Sequence, residues 1–257
     1  MSAEDLTDQV PAWKRVPERW EPAPAEVVDH ATVRALEALS RGGRWPVVKR
    51  LLDYYDPDGD YAGASFAELA PVTPNDITAA DLHATRLLSV PLGPGATRRL
   101  LSDGPPRSEV LAALRRVPDG DLLVAAPSTL VAMEVLYLAV KTNLSAATVK
   151  SPDAWVTASK LCARKRPNLF PVRDNIVRDY LDLTRHKNYQ VDWQVYRALI
   201  GDHDIIKAVD EAIDEAITGA HQAAGRRRLW LDTSRLRVLD AALWTYARRG
   251  DSDATRP

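Results

Sequence analysis

A chain of 257 residues with 46% hydrophobic and 27% charged side chains can bury a sizeable core and is not composed like a disordered polymer. Its formal net charge of −1 excludes a protein that coats polyanions over its whole surface, while leaving room for a local basic patch. A single cysteine, Cys162, excludes an intramolecular disulfide and a cysteine-rich zinc or iron–sulfur centre.

Residues 1–28, rich in Pro, Glu and Trp and without a period, read as a loosely ordered arm with Trp13 and Trp20 as candidate pins. The start has early acids and no apolar core, so it does not read as a signal peptide. No run of 18 apolar residues follows, and the cytoplasm is the default address. From residue 31 to 55, apolar positions predict two helices interrupted at Arg41-Gly42-Gly43. Asp56-Pro57-Asp58-Gly59-Asp60 then breaks the chain. It looks like a calcium loop, but Pro57 falls inside it and Ala67 stands where the twelfth-position Glu belongs, so a turn is expected.

Thr78 and Asp81 have capping-box spacing and open a helix bearing Leu82, Leu87, Leu88 and Val90, which Pro91 and Pro94 end. Short helices are predicted over 95–101 and 108–117, and a long apolar core helix over 128–144. Further helices are predicted at 154–165, 173–184, 193–200, 203–224 and 234–248, with residues 229–231 as the one candidate for extended backbone. The fold class is therefore all-α: a multi-helix globular domain with little or no strand. Residues 29–249 make one helical domain with room for two lobes, and 250–257 make a disordered tail.

The chemical signal is concentrated between Trp155 and Tyr180. Six cations, Lys160, Arg164, Lys165, Arg166, Arg173 and Arg178, face two acids, Asp174 and Asp179, a local charge of +4. Cations in the last turn of one helix and an acid at the start of the next also follow from helix dipoles and capping alone. Pro171 biases Phe170 away from helix, so residues 168–172 read as an extended bridge between two helices.

A helix with Thr157-Ala158, a bridge ending in Pro171-Val172, then Asp174 at a helix start with Val177-Arg178 behind it resembles the helix-hairpin-helix DNA glycosylase superfamily. The resemblance implies that Asp174 is the catalytic carboxylate. It implies DNA as the partner, with Lys160, Arg164, Lys165, Arg166, Arg173 and Arg178 as the nucleic-acid contacts, and no cofactor or metal. Two departures stand out. The hairpin glycines are missing from residues 149–154, so a phosphate anchor there would have to be rebuilt from Ser151 and Lys150. Val156 occupies the place of a Schiff-base lysine, which points to a monofunctional mechanism.

A second resemblance covers more of the chain. Residues 61–66, 75–82, Thr157–Leu161, Ala163–Pro167, the Pro171-Val172-x-Asp174 stretch and residues 234–240 with Trp244 resemble an actinobacterial protein family of unknown function. Two functional readings follow: a base-excision hydrolase using Asp174, or a non-catalytic helical module that binds nucleic acid or protein, in which Asp174 caps a helix.

Other features read as structural. Asp202-His203-Asp204 is a helix start before it is a cation site. Arg226-Arg227-Arg228 with Trp230 reads as a solvated loop, with phosphate contact as its functional alternative. Tyr54, Tyr55 and Tyr61 offer either packing or a stacking surface. Asp210, Glu211, Asp214 and Glu215 form an acidic helix face.

Overall fold

The computed structural model describes residues 10–145, 154–222 and 228–254. Among them are twelve α-helices, two short 3-10 turns and no strand. The helices are α1 (Ala25–Ala38), α2 (Val47–Tyr54), α3 (Gly63–Glu68), α4 (Ala79–Leu87), α5 (Pro94–Leu101) and α6 (Pro105–Arg116). They continue with α7 (Pro127–Leu144), α8 (Trp155–Lys165), α9 (Asn175–Tyr180), α10 (Tyr189–Leu199), α11 (His203–Gln222) and α12 (Arg235–Ala254).

Proline sets many of the starts. Pro24 and Pro46 are N-caps, and Pro94, Pro105 and Pro127 are the first residues of α5, α6 and α7. Its fixed φ suits the first turn, where its missing N–H costs no hydrogen bond. Pro94, expected as a helix terminator, therefore also opens the next helix. The Thr78–Asp81 box forms as predicted: Thr78 Oγ1 accepts from the Asp81 N–H (3.2 Å) and Asp81 Oδ2 from the Thr78 N–H (2.9 Å).

Some boundaries moved. The helix expected over 173–184 closes at Tyr180, and the chain passes through Asp182 at φ 57° into the turn Thr184–His186. Residues 229–231 form no strand, though the Trp230 N–H donates to Tyr55 O (3.1 Å). Helix α3, only six residues long, lacked the apolar repeats needed to register as a helix.

From Val10 onward the arm is tied down. Trp20 is buried with its ring 5.9 Å from that of Trp193. Gln194 accepts from the Ala23 N–H (2.8 Å) and donates to Glu21 O (3.0 Å), and Arg197 donates to Arg15 O (2.8 Å). Of the two pins expected, Trp20 is the buried one.

Packing sorts the helices into two sets. Helices α3–α8 form one, with α8 packed on α4 and α7; α1, α2 and α9–α12 form the other, with α12 against α1, α2, α9 and α11. The bridge over residues 166–174 crosses between them. At the junction, Gly63 meets the end of α2: a Cβ there would lie 2.5 Å from the Tyr54 carbonyl oxygen. Gly63→Ala should therefore destabilise the fold by about 1–3 kcal/mol, the usual cost of overpacking, read as a drop in melting temperature. An unchanged melting temperature would show that α3 can withdraw freely.

Candidate active site cleft

The two sets of helices leave a cleft of about 1040 Å³ between them. Asp174 lies in its lining. It is the N-cap of α9: Oδ1 accepts from the Ile176 N–H (3.0 Å), while Oδ2 accepts from Lys160 Nζ (2.9 Å). Lys160 reaches up from α8 and also donates to Leu88 O (2.7 Å) in the loop between α4 and α5. Thr157, one turn earlier on α8, lines the same cleft. Thr157 and Asp174, related by their spacing in the sequence, thus line one cleft, and Lys160 joins them as the ion-pair partner of Asp174.

The other five cations go elsewhere. Nearly every residue of α8 is buried, so the helix has no broad solvent face for its basic residues to occupy. Arg164 donates to the carbonyls of Phe66, Ala67 and Leu69 and lies 3.3 Å from Asp81. Lys165 donates to Asp81 (2.9 Å) and to Thr73 O (2.6 Å), and Arg166 to the carbonyls of Pro74, Leu114 and Val117. Burial pulls the pKa of Lys165 below the ordinary lysine value despite Asp81, and burial also lowers that of Arg166. Arg173 and Arg178 share Asp192 Oδ2, at 2.6 and 2.8 Å, and each stacks on Trp155. These five hold helix ends and loops together from inside. A phosphate would have to displace internal partners to reach them.

The lining residues not anticipated as a site come from α12. Arg237, Asp240, Ala241, Trp244 and Arg248 recur at helical spacing and form one stripe facing the cleft. The visible signal was a charged pair, Arg237 and Asp240, inside an otherwise apolar run. Asp240 is 5% exposed; its Oδ2 accepts from the Val172 N–H (2.7 Å), on the bridge two residues before Asp174. Burial pushes the Asp240 carboxyl up to about 7, with the Asp174 charge adding to the shift; Arg237, the Val172 N–H and Tyr196 oppose it. Arg237 lies over the Phe66 ring (4.3 Å) and 3.3 Å from Asp232, and its other buried terminal nitrogen, Nη1, has no hydrogen-bond partner.

An aromatic corner lines the same cleft. Tyr54, Tyr61 and Trp244 meet with ring centroids 5.8–6.1 Å apart, Tyr61 edge-on to Trp244. Two of the three tyrosines read as a possible stacking surface therefore reach the cleft; Tyr55 is buried behind them. Arg98 and Arg99 line the cleft from α5, and the Arg248 guanidinium sits 4.9 Å over Trp244.

The remaining sequence features have structural roles. Asp56 accepts from the Asp58 N–H (3.0 Å) in a turn. Asp202 caps α11 through the N–H groups of Asp204 and Ile205, both at 3.0 Å. Glu211 and Glu215 pair with Arg41, and Asp210 with Arg235. Arg228 lies over Trp230 (5.4 Å). Arg226, Arg227, Lys150 and Ser151 lie outside the described residues. Among the described residues, no three His, Cys, Asp or Glu side chains gather to hold a metal, and no helix is long and apolar enough to cross a membrane.

A family model described as a family of unknown function (DUF6308) matches residues 47–247. Searches of curated proteins and of solved structures returned no match.

Proposed function

The chain belongs to the DUF6308 family, and from its cleft we propose that it acts on nucleic acid as a monofunctional N-glycosylase-like hydrolase with Asp174 as the working carboxylate. The observation that carries this reading is the position of Asp174. It is an N-cap carboxylate in the lining of an open cleft, fixed at both oxygens, with an aromatic corner in the same cavity.

Each part has a chemical use. A fixed carboxylate stabilises the oxocarbenium charge that develops at the sugar as a base departs, and needs no reorganisation to do so. Tyr61 and Trp244 give an extruded base a surface to stack on, which offsets the cost of leaving the helix stack. Arg98 and Arg248 bring to the cleft the cations that phosphate binding requires, while Arg99 is held by the carbonyls of Asn143 and Ser145. Lys160 is the only cation of the Trp155–Tyr180 segment that lines the cleft. We assign it to orienting Asp174.

A second reading keeps the cleft as a non-catalytic binding site. It is favoured by the full engagement of Asp174 as helix cap and ion-pair partner. The two separate on a panel of duplexes and single strands carrying altered bases, scored for abasic sites. The hydrolase predicts abasic sites with the wild type, their loss with Asp174→Asn, and retained DNA binding in the variant. Binding without cleavage on every substrate would leave the second reading, and absence of DNA binding at low salt would remove both nucleic-acid readings.

A further inference from the structure

We propose that Asp240 is the proton donor of this cleft, working opposite the Asp174 carboxylate. The assignment of a departing base as its recipient rests on the hydrolase reading above.

The two carboxyl groups share one cavity in contrasting surroundings. Asp174 has Lys160 Nζ at 2.9 Å on one oxygen and the Ile176 N–H at 3.0 Å on the other. Asp240 lies on α12 with one backbone N–H at Oδ2, while buried Oδ1 lacks a hydrogen-bond partner of good geometry. The nearest cation on its own helix, Arg237, directs Nε to Asp232. Around Asp240 stand Arg237 on α12, Tyr54 at the end of α2 and Tyr55 just after it, Tyr196 on α10 and Asp174 at the head of α9. Burial and the like charge of Asp174 favour a proton on Asp240, while Arg237, the Val172 N–H and the Tyr196 hydroxyl favour the charged form. The Tyr196 hydroxyl beside Asp240 can donate to the carboxylate or accept from the neutral acid, so the group keeps a partner in either state.

Placement supports the same role. The Val172 N–H bond ties Asp240 to the bridge that carries Asp174, so the pair keeps a fixed relation whatever the rim does. Pairs of carboxyls whose surroundings drive their protonation apart divide acid and base work between them. The step balances as follows. As the C1′–N bond breaks, its electron pair goes to the base nitrogen, which takes the Asp240 proton. Water then bonds to C1′ and releases a proton to the Asp174 carboxylate. Asp240 ends ionised and Asp174 protonated, and solvent exchange restores both.

Two measurements on the full chain decide it. In the first, infrared spectra of the wild type are followed from about pH 5 to 9, the range around its expected titration. A protonated carboxyl band should persist above pH 6, disappear with a midpoint near 7 and be missing from Asp240→Asn, which keeps an acceptor for the Val172 N–H. In the second, base release is followed against pH. Wild-type kcat/KM should fall about tenfold per pH unit above the midpoint, while the variant should lose that fall and sit about tenfold to a hundredfold lower on the acid side. The wild-type titration needs no substrate and no variant; the Asp240→Asn spectrum serves to assign the band. If the band is present but no base is released, the donor stands and the hydrolase reading falls. If bases are released but no band persists above pH 6, or the variant keeps the wild-type profile, Asp240 is not the donor and the hydrolase reading stands.

Discussion

Asp192→Ala should remove about 3–5 kcal/mol of folding stability, the loss typical of breaking a buried ion pair from one side. Asp192 is completely buried on α10, and one of its oxygens accepts from both Arg173 and Arg178. Both guanidiniums are themselves buried, with Trp155 stacked on each and Arg173 donating from Nη1 to the Tyr137 hydroxyl oxygen. Alanine would leave two cations in the interior with no counter-charge and no water to replace it. The denaturant midpoint is the measurement, with Asp182→Ala as the control. Asp182 pairs with Arg185 at 2.9 Å, both side chains about half exposed; such a pair contributes no more than about 1 kcal/mol, and alanine at the left-handed φ of 57° adds about 1–2 kcal/mol at most, still short of the loss at Asp192. Equal losses from the two substitutions would mean that the Asp192 cluster is hydrated and is not an internal strut.

That cluster also shows where sequence reading stops. Lys and Arg are usually on the surface, so a +4 segment reads as a charged face. What turns Arg164 and Lys165 inward is Asp81, more than eighty positions away, together with carbonyls of residues 66–73 that no helix satisfies. Neither leaves a local pattern. The helices were legible because apolar periodicity and proline are local signals, and so was the Asp174 cap, whose partner Ile176 is two residues on. The lysine beside it is fourteen residues away, within one helix–bridge–helix unit, but the sequence marks it as a nucleic-acid contact and not as the partner of Asp174. The far wall of the cleft was not legible as a site. On α12, Trp244 has the spacing of a core residue, and only the folded chain shows that its stripe meets α2 and the bridge.

The same geometry fixes what Asp174 must do if the cleft is a hydrolase. Asp174→Asn should lower base release by about a hundredfold to a thousandfold, the range seen when one electrostatic group is removed from a preorganised site. The asparagine oxygen can still accept from the Ile176 N–H, so the α9 cap survives, and the folding cost, up to about 3–5 kcal/mol, comes from leaving buried Lys160 without its counter-charge. Lys160→Met supplies the comparison. It deletes the partner of Asp174 and leaves Leu88 O without its lysine donor, while keeping a side chain of similar length and apolar body. Turnover should fall about tenfold to a hundredfold through misplacement of the carboxylate, with duplex affinity nearly unchanged. Lys160 is 5% exposed at the side chain, which suits a group that orients a neighbour better than one that grips a phosphate. A Lys160→Met variant that lost affinity and kept its rate would reverse the assignment, making Lys160 a phosphate contact and leaving Asp174 only its cap.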